Sequence, residues 1–147
     1  MKKFAIFSVV MIIGAGAALA ATLNVPFYRD SLASPNIGGF IGVKNTTTVD
    51  QTITIVYTSL NASSNPESMS VTFALNANTG VSWRPVEDLA AEGPLGRTVP
   101  NNTIVGPSGT SVSQVGSAAI IGVGLTGRYQ QNNVNGNASI SFAHALV

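Results

Sequence analysis

Cysteine is absent, histidine occurs once, and charged side chains make up only 9% of the 147 residues. Each shortage removes a class of chemistry. Zinc centres need clustered His and Cys ligands, and a lone His144 supplies none of that grouping. A Ser-His-Asp triad could draw only on His144, and no serine lies in a G-x-S-x-G elbow. The G-x-x-x-x-G-K phosphate loop and the D-x-[DN]-x-[DN]-G calcium loop are missing too. The sequence therefore predicts no metal, no cofactor and no catalytic activity. Without cysteine there are neither disulfides nor a lipid-modified anchor.

What is present at the start is an export signal. Lys2 and Lys3 form a basic n-region, 4–16 is apolar, and Ala18-Leu19-Ala20 puts small residues where a signal peptidase reads. Residues 1–20 are read as a cleaved signal peptide, with the mature chain beginning at Ala21. The apolar run is short for a membrane span, and no hydrophobic tail follows the last strand, so the mature chain is expected to be secreted or periplasmic with no integral membrane segment. At 21–147 it has the length of a single domain. Five basic residues (Arg29, Lys44, Arg84, Arg97, Arg128) face six acidic ones in it, a formal charge of −1. That balance offers no patch for nucleic acid, which needs several phosphate contacts.

The body of the chain alternates at the period of strands. Ile53, Ile55 and Tyr57 interleave with Thr52, Thr54, Val56 and Thr58, the pattern of a half-buried strand rich in β-branched residues. Ile41 and Val43 form the inward face of a strand before it, and the polar stretch 45–50 is expected to close the two into a hairpin. A second hairpin is expected over 69–84, turning at 76–80, where residues tolerate positive φ. A third is expected at Asn135-Gly136, with Ile140 and Phe142 inward on the last strand and His144 on its outer face. Leu23, Val25 and Phe27 alternate around Pro26, which confines that strand to an edge. The small apolar run 117–124 is expected to be a fully buried strand that continues after a bend or bulge at Gly124 or Gly127. Trp83, the single tryptophan, is assigned to the space between two sheets.

Seven or eight short antiparallel strands without a convincing helix predict an all-β sandwich. The aligned immunoglobulin-like arrangement is the first choice and a jelly roll the second. The strands FIGVKN (40–45), TITIVYTS (52–59) and VTFALNANTGVSW (71–83) resemble immunoglobulin-like modules of secreted bacterial proteins. That resemblance covers about half of the mature chain, rests on alternation, and carries no site residue with it. In size, export and a C-terminal β-strand the chain also resembles pilins assembled by strand exchange.

Function, on the sequence alone, points to 85–116. This stretch is longer than structureless loops usually are, and it is stiffened by Pro85, Pro94, Pro100 and Pro107. Five of the eleven charges of the mature chain fall at Arg84, Glu87, Asp88, Glu92 and Arg97. With Tyr129, these are the candidate binding residues. Tyr28, Tyr129 and Trp83 are the candidate exposed aromatics for a glycan. Glu87, Asp88 and Glu92 could alternatively serve as paired carboxylates for glycoside hydrolysis or as weak calcium ligands, against a solvated acidic turn. The loop is expected to be removable, from Asp88 to Gly109, without loss of the fold. The four N-x-S/T sequons at Asn45, Asn61, Asn101 and Asn137 read as turn composition. The expectation is a secreted, non-catalytic structural, adhesion or binding module at the cell surface or in the extracellular matrix. Its partners would be surface proteins or polysaccharide, with self-association possible. The alternatives are a small glycan-active enzyme using the acidic loop and a pilin-like subunit.

Overall fold

The structure is a computed structural model that describes residues 20–30, 37–86, 99–104, 106, 115–135 and 138–145; for 37, 133–135 and 138–145 it describes the backbone alone. The described residues form eight strands: β1 (Ala20–Arg29), β2 (Ile37–Asn45), β3 (Gln51–Leu60), β4 (Pro66–Leu75), β5 (Gly80–Trp83), β6 (Val115–Val123), β7 (Leu125–Asn135) and β8 (Ala138–Ala145). They form two four-stranded sheets, ordered β1-β6-β3-β4 and β5-β2-β7-β8. All pairings are antiparallel.

The inward residues of both sheets fill one core. Ile53, Ile55, Tyr57 and Ile120 come from the first sheet, and Ile41, Val43, Trp83 and Tyr129 from the second. Trp83 is fully buried, as expected, and donates its indole N–H to the Tyr57 hydroxyl at 2.7 Å. Phe73 lies tilted beside it, with ring centroids 6.0 Å apart.

Two of the three expected hairpins are corrected. β2 and β3 lie in different sheets, as do β4 and β5, so 46–50 and 76–79 carry the chain from one sheet to the other. The β4–β5 turn does use positive φ, at Asn78 (57°). The chain also crosses at Gly124, whose φ of +55° turns it from β6 into β7. These three of the five changes of sheet gather at one end, bound together by Asn45 and Gln51. The Asn45 amide, fully buried, donates to the carbonyls of Val49, Leu75 and Asn76 and accepts from the Thr47 N–H and from Gln51 Nε2. Gln51 in turn exchanges two bonds of 2.8 Å with the backbone of Val123.

The true hairpins are β3–β4, over 61–65, and β7–β8. The latter is the one expected at Asn135-Gly136, although Gly136 and Asn137 lie outside the described residues. β1 is an edge strand, and its register slips between Val25 and Tyr28. The slip at Pro26 reverses the phase: Phe27 is 54% exposed and Tyr28 is buried instead. β6 is half-buried rather than fully buried, with Ala118 and Ile120 inward and Ala119 and Ile121 partly exposed. The register sets Ile140 across from Asn133, Phe142 across from Gln131 and His144 across from Tyr129. Their side chains lie outside the described residues.

Candidate functional site

At the end opposite those three crossings stand the last residues of β1 and β5 and the first of β2 and β6, and Arg84 is the candidate there. Arg84 follows β5. Its guanidinium binds Asp30, at the end of β1, with Nη2 and Nε at 2.5 and 3.0 Å from Oδ1. Asp30 is fully buried and also accepts the N–H groups of Gly39 and Val86. Arg84 further lies 6.0 Å from the centroid of the Phe40 ring. Asp30, the carboxylate that Arg84 binds, lies 54 residues back in the chain. Glu87, Asp88, Glu92 and Arg97 lie outside the described residues.

Tyr129, proposed as an exposed binding aromatic, is 1% exposed. Its hydroxyl accepts the Arg29 N–H at 3.0 Å and lies 3.0 Å from Gln131 Oε1, which ties the second sheet to the end of β1. A Cβ on Gly39 would stand 2.6 Å from the Arg29 carbonyl and 3.0 Å from this hydroxyl, so the approach of β2 to β1 requires glycine. Tyr28 and Trp83 are buried as well. These three are core residues, and the glycan platform expected of them is corrected. Burial pushes the phenols of Tyr28 and Tyr129 above their ordinary value, since the charged form would lose its water.

The long loop is anchored, not free-standing. Val86, Val99, Asn102 and Ile104 are buried. The Asn102 N–H bonds to the Pro85 carbonyl at 2.6 Å, and its side-chain amide donates to Tyr28 Oη and Ser59 Oγ at 2.7 Å each. The Tyr57 hydroxyl reaches the Pro100 carbonyl at 3.1 Å. Excision from Asp88 to Gly109 would remove Val99, Asn102 and Ile104 from this core. The expectation that the fold survives that excision is therefore withdrawn.

Asp30, Ser59 and Asn102 were not singled out by sequence reasoning. Their signal was weak. Asp30 sits in a polar tripeptide that resembles a turn, and Asn102 in a loop without periodicity.

Two of the open grooves on the outward surface are lined largely by strand residues. One, of about 240 Å³, lies at the loop end of the first sheet and is lined by Phe27, Leu60, Pro66 and Val115. The larger, of about 530 Å³, runs over the outer face of the second sheet across β5, β2 and β7. Gly42 and Gly80 leave its floor low, Ser82 and Thr126 supply hydroxyls, and Lys44 and Arg128 supply charge. Lys44 and Arg128 are exposed. Gly42 pairs with Arg128, and Lys44 with Thr126, so the two cations are diagonal neighbours on one face, with backbones about 7–8 Å apart. Neither belongs to an ion pair among the described residues. No set of three His, Cys, Asp or Glu residues is placed to hold a metal among the described residues.

No protein-family model matches the chain, and no curated protein matches it. Among solved structures, the crystal structure of Thermotoga maritima 1070 matches at a TM-score of 0.49 and 16% sequence identity, over 86% of this chain and 91% of that one.

Proposed function

We propose that the protein is an exported, non-catalytic β-sandwich of immunoglobulin-like arrangement that acts as a binding or structural module at the cell surface or in the extracellular matrix. The observation that carries this reading is the open groove on the outer face of the second sheet. It offers charge and hydroxyls on paired strands, a rigid platform for recognition. The buried polar groups at the loop end have a different use: Asp30, Tyr28, Ser59 and Asn102 spend their hydrogen bonds on holding the sheets and the loop together. Export is supported by the basic and apolar run before Ala18-Leu19-Ala20. A cut before Ala21 would remove only one residue of β1.

The test takes the full chain and follows it through cell fractionation. The exported form is expected to begin at Ala21, to sediment with polysaccharide stripped from the surface of the producing cells, and to leave its reducing ends unchanged in number. A rise in reducing ends would establish the glycan-active enzyme instead. A soluble protein that never co-sediments overturns the binding reading.

A further inference from the structure

We infer that the groove between Lys44 and Arg128 binds an acidic polysaccharide through its carboxylates. The inference rests on the binding-module reading above and names the ligand class for that surface. Three features of the groove select this class. The first is sign. Lys44 and Arg128 both face outward over the groove, and among the described residues no acidic one lines it. Across the sheet, the register sets Ala145 opposite Arg128, so the neighbouring strand contributes no opposing charge at that position. A planar carboxylate suits the fork of Arg128, and the mobile ammonium of Lys44 suits a second charge further along a chain.

The second is the lack of backbone partners. The groove crosses the face of the sheet, and the N–H and C=O groups of β2 are spent on its ladders with β5 and β7. A peptide binding by strand addition would pair along the outer edge of β5, the edge strand of this sheet, and not over the face where Lys44 and Arg128 stand. A face with two cations and the hydroxyls of Ser82 and Thr126 instead matches a ligand made of hydroxyls and carboxylates.

The third is shape. Strand interiors disfavour glycine, yet Gly42 and Gly80 stand diagonally to one another on the floor, Gly42 across from Ser82 and Gly80 across from Lys44. A Cβ on Gly42 would meet Arg128, 3.4 Å from its Cγ, 3.7 Å from its Nε and 3.9 Å from its carbonyl oxygen, all ordinary contact distances, so packing does not demand glycine there. What glycine provides at that position is depth. The groove is open, and its volume of about 530 Å³ falls within the range of ligand sites.

The experiment is affinity electrophoresis of the mature protein in gels containing polygalacturonate, neutral dextran or poly-L-glutamate. Retardation is expected in polygalacturonate and in neither of the others. The double variant Lys44→Gln/Arg128→Gln should weaken it by about tenfold or more, equivalent to about 1.4 kcal/mol. Gly42→Thr keeps both charges, fills the floor with a good strand former, and should weaken retardation to a similar degree with the thermal melt unchanged. Arg29→Gln removes an exposed charge elsewhere and should leave retardation as in the parent.

Equal retardation by poly-L-glutamate, or an equal loss in Arg29→Gln, would reduce the effect to bulk charge and overturn the inference. So would full retardation of the double variant, whatever Gly42→Thr does. If polygalacturonate fails while the protein still sediments with the cell-surface polymer, the ligand class is wrong and the binding-module reading stands. If both fail, both are overturned.

Discussion

Replacing Arg84 with methionine tests whether the buried carboxylate of Asp30 depends on its ion pair. Methionine keeps an unbranched apolar stem over Phe40 and removes the guanidinium. Asp30 has no exposed surface, and the Arg84 side chain is only 13% exposed, so the charge left behind would be poorly hydrated. Breaking a buried pair from one side typically costs about 3–5 kcal/mol. Two considerations place this case near the lower figure. Asp30 keeps the N–H groups of Gly39 and Val86, and the vacated site lies close enough to the surface for water to enter. A loss of about 3 kcal/mol is a large part of the 5–15 kcal/mol typical of a domain. At a urea dependence of about 1.5 kcal/mol per molar, the unfolding midpoint should fall by about 2 M.

Equilibrium urea unfolding of the mature protein, followed by Trp83 fluorescence, measures this directly because Trp83 lies in the core. The second arm is Asp30→Asn in the Arg84→Met background. Removing the stranded charge should recover part of the loss, though not all of it, since an amide offers one acceptor to two N–H donors. A midpoint drop below about 0.5 M would refute the reasoning, because it would place the pair among exposed ones worth about 0–1 kcal/mol. A double variant no more stable than the single would show that Arg84 acts by packing on Phe40 and not by pairing.

Asn45→Ala should destabilise by about 1–3 kcal/mol, since the substitution strands buried carbonyls and the Thr47 N–H at the sheet crossings; a loss under about 0.5 kcal/mol in the same urea assay would contradict that role. For pH, burial raises the Tyr28 and Tyr129 phenols above 10.0, the neutral form being favoured in the fold. Stability from these groups is then complete below pH 10.0 and is lost as the pH climbs above it towards the folded values. Absorbance at 295 nm should show Tyr28 and Tyr129 ionising only as the fold melts, and full ionisation near pH 10 in a folded protein would be inconsistent with it.

The strands themselves were legible because period-two alternation is a property of one strand. In β3 the apolar positions Ile53, Ile55 and Tyr57 fall on the buried face without a slip. Pairing is a property of two strands, and alternation carries no information about it. Ile41 and Val43 point to the core whether β2 lies beside β3 or across the sandwich from it, and a short polar turn can close a hairpin or cross between sheets. The feature that settles the matter is the burial of Asn45, and a buried asparagine looks like a turn asparagine in sequence. β1 shows a second limit. Its alternation reads cleanly through Leu23, Val25 and Phe27, but the register slip at Pro26 moves the inward role to Tyr28. Proline was rightly taken to mark an edge; that it also marks a change of phase depends on how β6 lies alongside.

The candidate site was less legible because charge counted along the chain is not charge in space. Arg84 looked like part of a charged loop, yet the fold gives it to Asp30 and buries the pair. Lys44 and Arg128 looked isolated, each alone on its strand, yet the pairing of β2 with β7 sets them diagonally on one open face. Alternation would have placed both residues outward, and only the sheet order makes them neighbours. One signal was available without it. Gly38, Gly42 and Gly80 occupy strand positions, against the preference of strands for β-branched and aromatic residues. A strand that gives up side-chain packing at outward positions loses stability there unless something else comes close to its backbone. At Gly80 that neighbour is internal, since a Cβ would stand 3.3 Å from the Val43 carbonyl. At Gly42 the nearest neighbour is the movable Arg128 side chain, with the Arg128 carbonyl oxygen at an ordinary 3.9 Å. That difference makes Gly42, rather than either charge alone, the position at which the groove proposal is most exposed to refutation.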